Sequence, residues 1–191
     1  VNRQCNKTIR LPMRHFIEEN SILDYMIYDD VINNRDIDPY SDSKFRPIRN
    51  MSSKRKGRFF EQLTEEYVFQ KGWDVSKPEN SDHDTIINDK KVEIKGSFLW
   101  VVDGQLTHYR WQQIRPSQDY EYMVFLALDP RKCEFYCSTK QEVTDFVTIQ
   151  DSNGNYPYNQ HGGMTMNSGT YRIDGFPKDF PFMKSLDQLA V

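Results

Sequence analysis

The sequence contains no apolar run approaching the ~18 residues that a membrane span needs, and its first residues carry no signal-peptide-like apolar stretch. The expectation is therefore a soluble, cytoplasmic chain with no membrane partner. Cysteine is scarce: Cys5, Cys133 and Cys137 form an odd set with no pairing pattern, which argues against a disulfide scaffold. Cys133 and Cys137 would share one face of a strand, but no nearby Cys or His pair completes a zinc site, so they read as buried free thiols. Internal repeats and clean composition breaks are also missing. With 191 residues, 37 % of them hydrophobic, the chain has enough material for one domain with a real core.

Acid is absent from one stretch. A net charge of −3 makes the whole chain no polycation, yet Lys44, Arg46, Arg49, Lys54, Arg55, Lys56 and Arg58 stand between 44 and 58 without a single Asp or Glu. A segment so polarised is a candidate phosphate-binding strip; the alternative is a solvated basic loop.

Periodicity places the elements. Apolar residues recur at helical intervals from Arg14 to Asn33, and residues 33–49 carry turn chemistry. Ser52 or Ser53 begins a helix that runs to about Lys71 and stops at Gly72, with Phe60, Leu63 and Tyr67 inward and Glu61 and Glu65 on an adjacent stripe. Short strands follow at Trp73–Val75 and Thr85–Ile87, then a long one over Val92–Val102 that turns at Asp103-Gly104 and returns from Gln105. Residues 110–115 are ambiguous. The uninterrupted run Tyr122–Leu128 predicts a buried central strand, Lys132–Cys137 another, and Thr139 caps a helix through Val147. A loop spans 151–170, Tyr171–Ile173 returns to the sheet edge, and 178–189 reads as a weak C-terminal helix.

The stretch Lys90–Gly96, KKVEIKG, carries the chemistry. Alternation sends Val92 and Ile94 to one face and Glu93 and Lys95 to the other. Asp84, at the mouth of the preceding short strand, can meet Glu93 with Lys95 beside them. Two converging carboxylates suit a hard cation such as Mg²⁺, and an amine next to it can orient or deprotonate a water. The alternative is a salt-bridged pair on an exposed strand.

A helix with Gly57-x3-Glu61, then Asp84, then Glu93-x-Lys95, then a buried strand resembles the PD-(D/E)XK nuclease superfamily, the fold of most type II restriction endonucleases, over roughly Gly57–Leu128. His83 replaces the proline of the family's PD pair. The resemblance implies an α/β fold with a central mixed sheet flanked by helices, here as one nuclease domain with a helical N-terminal extension (1–50), a catalytic core (51–138), and C-terminal loops and a sheet edge (139–191). It implies Asp84, Glu93 and Ile94 as the metal set, Lys95 as the water-associated amine and Glu61 as an auxiliary acid. It further implies Mg²⁺-dependent hydrolysis of double-stranded DNA to 5′-phosphate and 3′-hydroxyl ends, with Mn²⁺ substituting and Ca²⁺ binding without turnover. Type II enzymes of this size usually act as homodimers, with a cognate methyltransferase reading the same site. The rival readings are a repair, recombination or phage nuclease that reads DNA structure, and a nuclease-fold module that binds without cutting. Gln113 and His161 are additional candidates for DNA contact; each is also explained by a surface amide or a solvent loop.

Overall fold

The computed structural model describes residues 38–78, 80–102 and 105–188, so the proposed N-terminal helices, Cys5 and the turn residues Asp103 and Gly104 lie outside the described residues. In chain order the elements are helices α1 (Arg46–Arg49) and α2 (Ser53–Gln70) and strands β1 (Val75–Ser76), β2 (Thr85–Ile87), β3 (Lys90–Phe98), β4 (Val101–Val102), β5 (Gln105–Leu106) and β6 (Tyr109–Ile114). Strands β7 (Tyr122–Leu128) and β8 (Cys133–Thr139), helix α3 (Lys140–Val147), and strands β9 (Tyr171–Gly175) and β10 (Lys184–Ser185) follow. The central sheet is mixed, in the order β1-β2-β3-β7-β8-β10, with β3 and β7 parallel and the other neighbours antiparallel.

Strand β7 is apolar throughout because both of its faces are covered. Val124, Leu126 and Leu128 join Val92 and Ile94 under Phe60 and Leu63 of α2. Met123, Phe125 and Ala127 face the other way, into a cluster with Trp111, Ile173 and Val143. Glu93 lies beside Met123 and Lys95 beside Phe125 in the parallel register, so the two charged residues share that second face. Cys137 is buried and Cys133 half-buried, both as free thiols.

Three expectations need correction. The strand expected over Val92–Val102 breaks after Phe98: the Leu99 N–H turns to the Leu128 carbonyl (2.8 Å), and β4 pairs with β5 as a separate hairpin. The ambiguous 110–115 segment is strand, paired with β9 in a small sheet of its own, so β9 does not return to the central sheet. Trp111 and Ile114, three apart, both face inward because the register shifts between them, with Gln113 in the left-handed region at φ 57°. That bulge erased the alternation on which a sequence reading depends. Finally, the described part of 178–189 forms no α-helix. Phe180 and Phe182 are buried on either side of a tight turn, in which the Met183 N–H donates to the Phe180 carbonyl (3.0 Å), and Lys184 and Ser185 pair with Cys137 and Tyr136 at the sheet edge.

Candidate active site

Strand β2 ends at Thr85, opposite Val92, so β3 has an open edge from Glu93 onward. Asp84 sits at that point. Its N–H donates to the Val92 carbonyl (3.0 Å), and its Oδ2 accepts from the Ile94 N–H (2.7 Å), fixing the carboxylate by a charge-assisted bond. The N–H and C=O of one strand residue lie on the same strand edge, so the Ile94 carbonyl also points to the side that β2 has vacated. The Lys95 Nζ donates to Glu93 Oε1 on the same face. Glu93 is only 4 % exposed, and its carboxyl is pushed up to about 7, first by burial, against the pull of the Lys95 ammonium and with a further push from the Asp84 charge. A buried carboxylate held so far from its ordinary range lacks sufficient positive charge around it.

Helix α2 brings Glu61 to the same corner. Gly96 makes this possible: any Cβ there would collide with the Phe60 ring, so its hydrogen lets the helix lie directly on β3. The neighbouring Glu61 is half-buried, and its carboxyl is raised by burial and then by the Asp84 charge, with Arg58 and Lys95 opposing. Asp84, Glu93, Lys95 and Glu61, named from sequence, therefore interact electrostatically as one group. Gly96 was missed as a packing position, although a glycine inside a strand was the available signal.

Among the described residues no group of three His, Cys, Asp or Glu side chains is arranged to hold a metal ion. The fit of a cation rests on donor chemistry: the carboxylates of Asp84 and Glu93 and the Ile94 carbonyl are all hard oxygen donors, suited to Mg²⁺ rather than to zinc. Ile94 can contribute only through its main chain. The His83 ring nitrogens, next to Asp84 in sequence, and the Tyr120 hydroxyl are buried without hydrogen-bond partners among the described residues, each residue 2 % exposed. The Tyr120 hydroxyl is pushed up, first by burial and then by the Glu93 charge.

A groove opens beside Lys95 between the first turns of α2 and the β6 bulge, lined by Lys56, Arg49, Arg110, Gln112, Gln113 and Trp100 among others, with no Asp or Glu in its wall. The basic strip is divided by this geometry. Arg49 and Lys56 line the groove; Lys54, Arg55 and Arg58 are exposed on α2 beside it. Arg49 also pairs with Asp38 (2.8 Å) and lies over the Tyr40 ring, and Arg46 turns to the Ser41 carbonyl (3.1 Å). Lys44 lies over the Phe45 ring and its charge reaches Cys133, away from the groove. Gln113 lines the groove, its N–H held by Gln160 Oε1 (2.5 Å), whereas His161 is exposed in the loop and does not line it. Trp100 was not singled out from sequence, because nothing local links it to the groove.

No protein-family model matches the chain, and no curated protein matches it in sequence. A solved structure of a bacterial homing endonuclease, I-Ssp6803I, is similar over 48 % of this chain and 71 % of that one, at 19 % identity and a TM-score of 0.39. No helix among the described residues is long and apolar enough to cross a membrane.

Proposed function

We propose that this protein is a Mg²⁺-dependent endonuclease that hydrolyses phosphodiester bonds of double-stranded DNA. The observation that carries the reading is Glu93: a nearly fully buried carboxylate, converging with Asp84 at an open strand edge, with an ammonium against it and an acid-free groove alongside. Asp84, Glu93 and the Ile94 carbonyl would hold the cation. Bound there, a divalent ion supplies charge neutralisation at the phosphate and a water of lowered pKa. Lys95, whose Nζ is already on the site, orients the attacking water for in-line displacement at phosphorus and donates to the charge that develops. Glu61 serves as an auxiliary acid holding a second water in place. Lys56 and Arg49 fix the strand through its phosphates, interactions that set register without reading bases.

Helix α2 supports the nucleic-acid assignment independently. Lys54, Arg55 and Lys56 crowd the positive end of the helix dipole, with no acid in the first turn, an arrangement that costs roughly 0.3–1 kcal/mol per charge. Phosphate would relieve it, since a helix N-terminus and its cations both favour an anion. The protein acts as a type II restriction endonuclease that pairs as a homodimer to cut both strands of a short palindrome and works alongside a methyltransferase. Mn²⁺ substitutes for Mg²⁺, and Ca²⁺ supports binding without cleavage because its longer bonds position the water poorly.

Digestion of plasmid DNA with Mg²⁺ and with EDTA tests the reading. Discrete bands that require the metal support sequence-specific cutting, and a metal-dependent smear points to a nuclease that reads structure. An intact plasmid under both conditions sinks the enzyme and leaves a binding module.

A further inference from the structure

The groove holds an aromatic surface that phosphodiester hydrolysis does not use. Trp100 lies just beyond β3 and is 43 % exposed, in a wall that also carries Arg49, Lys56, Lys95 and Arg110. Its main chain is held on both sides, the N–H donating to the His108 carbonyl and its carbonyl accepting from the Thr107 N–H, each at 2.8 Å. The ring is backed by a fixed layer. The Arg110 guanidinium sits 4.1 Å from its centroid, and the His108 ring lies nearly parallel to it at 6.0 Å with an interplanar angle of 10°. Asp174 locks the guanidinium through two bonds, Nε to Oδ1 at 3.0 Å and Nη2 to Oδ2 at 3.1 Å. Two residues further along the hairpin stands Val102, itself 48 % exposed.

A partly exposed indole held against a pinned cation in the wall of a cationic groove has the chemistry of a base-stacking platform, because every nucleobase presents a flat π-face. Bases inside an intact duplex already stack on each other and offer no free face. We infer that Trp100 stacks on a nucleobase unstacked from its neighbour, so that the DNA strand delivered to Asp84 and Glu93 is locally opened or kinked where it passes the β4–β5 hairpin. The inference rests on the nucleic-acid reading above and specifies its substrate as duplex that yields at one step. The cations hold the backbone while Trp100 accepts the displaced base, and the cost of unstacking is lowest where the step is already mismatched.

The test is equilibrium binding of the full chain, in Ca²⁺ without Mg²⁺, to two duplexes that differ only by one mismatched step carrying 2-aminopurine. Wild type should bind the mismatched duplex about tenfold more tightly than the matched one, the size of one base–aromatic stack. Indole emission should be quenched on binding. Trp100→Ala should lose the preference with its salt slope unchanged, because the cations that bind phosphate are all still present. Trp100→Phe should keep most of the preference while losing the quench, which guards against a Trp100→Ala variant that fails to fold. Equal affinity of wild type for the two duplexes overturns the inference, as does the same quench in Trp100→Phe as in wild type; cleavage and metal dependence would stand in either case. A wild-type chain that binds neither duplex and cuts no plasmid overturns the endonuclease reading itself.

Discussion

Helices α2 and α3 are built on opposite rules. At α3, Thr139 Oγ1 accepts from the Glu142 N–H (3.2 Å) and Glu142 Oε2 accepts from the Thr139 N–H (2.9 Å), a complete capping box with an acid in the first turn. At α2, Ser52 makes no side-chain cap, the first turn has no acid, and three cations occupy the dipole's positive end. The inner faces of both helices reach the core: Val143 and Val147 for α3, Phe60, Leu63 and Val68 for α2. The difference therefore lies in the outer turns. Helix α3 is locally consistent and serves stability, whereas α2 departs from local rules where it borders the groove and the acidic corner, as functional segments tend to do.

Asp84→Ala and Lys95→Ala should each reduce plasmid cleavage by about three orders of magnitude or more while leaving binding in Ca²⁺ measurable. Wild-type rates in either variant would remove the acidic corner from the mechanism. Glu61→Ala should slow the reaction more mildly, since water can replace an auxiliary acid.

Next in size is the replacement of Lys54, Arg55 and Lys56 together by Gln. Affinity should fall on specific and random DNA alike, and the slope of log affinity against log salt should become shallower by about 0.9 for each phosphate that these cations neutralise. Because only Lys56 of the three lines the groove, Lys56→Gln alone should account for a large share of the change. Thermal unfolding of the triple variant should shift upward, as the dipole penalty is removed. A downward shift would mean that these cations serve the fold and would break the contrast with α3.

Gly96→Ala should cost about 1–3 kcal/mol in denaturant unfolding, because the added methyl drives Phe60, and α2 with it, away from β3. Full stability in this variant would show that the helix does not depend on that close approach.

Glu93→Gln separates stability from activity. With its carboxyl raised from the ordinary 4.5 to about 7, the metal-free folded protein binds more protons than the unfolded chain between those values. Its stability should therefore fall as pH rises from about 4.5 through about 7. Glu93→Gln should flatten that part of the pH profile and, at pH 8, stabilise the metal-free protein by about 1–2 kcal/mol while cleavage is lost. A wild-type profile no steeper than that of the variant would show that burial does not perturb Glu93.

The smallest effect belongs to α3: Thr139→Ala should cost about 1 kcal/mol in unfolding and leave DNA cleavage unchanged. A loss of cleavage at constant stability would place α3 in the active machinery and end the distinction between the two helices.

Much of the candidate site was legible because its signals are local. Alternation within KKVEIKG sets Glu93 and Lys95 on one face, and the 122–128 run fills a strand buried on both sides. The helical stripe from Phe60 to Val68, the Gly72 stop and the Thr139 cap likewise depend on residues a few positions apart. The groove was not legible, since Trp100, Arg110 and Lys56 meet only after β3, β6 and α2 have packed. The bulge at Gln113 is stabilised by Gln160, far along the chain, and its shifted register hid β6. The C-terminal segment had weak helical spacing, but aromatic burial and edge pairing with β8 outweighed that propensity.

By itself the sequence determined which side chains each element offers, because periods of two and of 3.6 residues follow from backbone geometry and hold before any packing occurs. Tertiary structure alone decided where those offers meet. It ended β2 so that Asp84 and the Ile94 edge lie open, laid α2 on Gly96 so that the Glu61 carboxyl feels the Asp84 charge, and set Trp100 against Arg110 in the cationic wall. Those outcomes depend on which strand pairs with which and on how closely two backbones approach. Both are set by burial summed over the whole chain, which no short window of sequence contains.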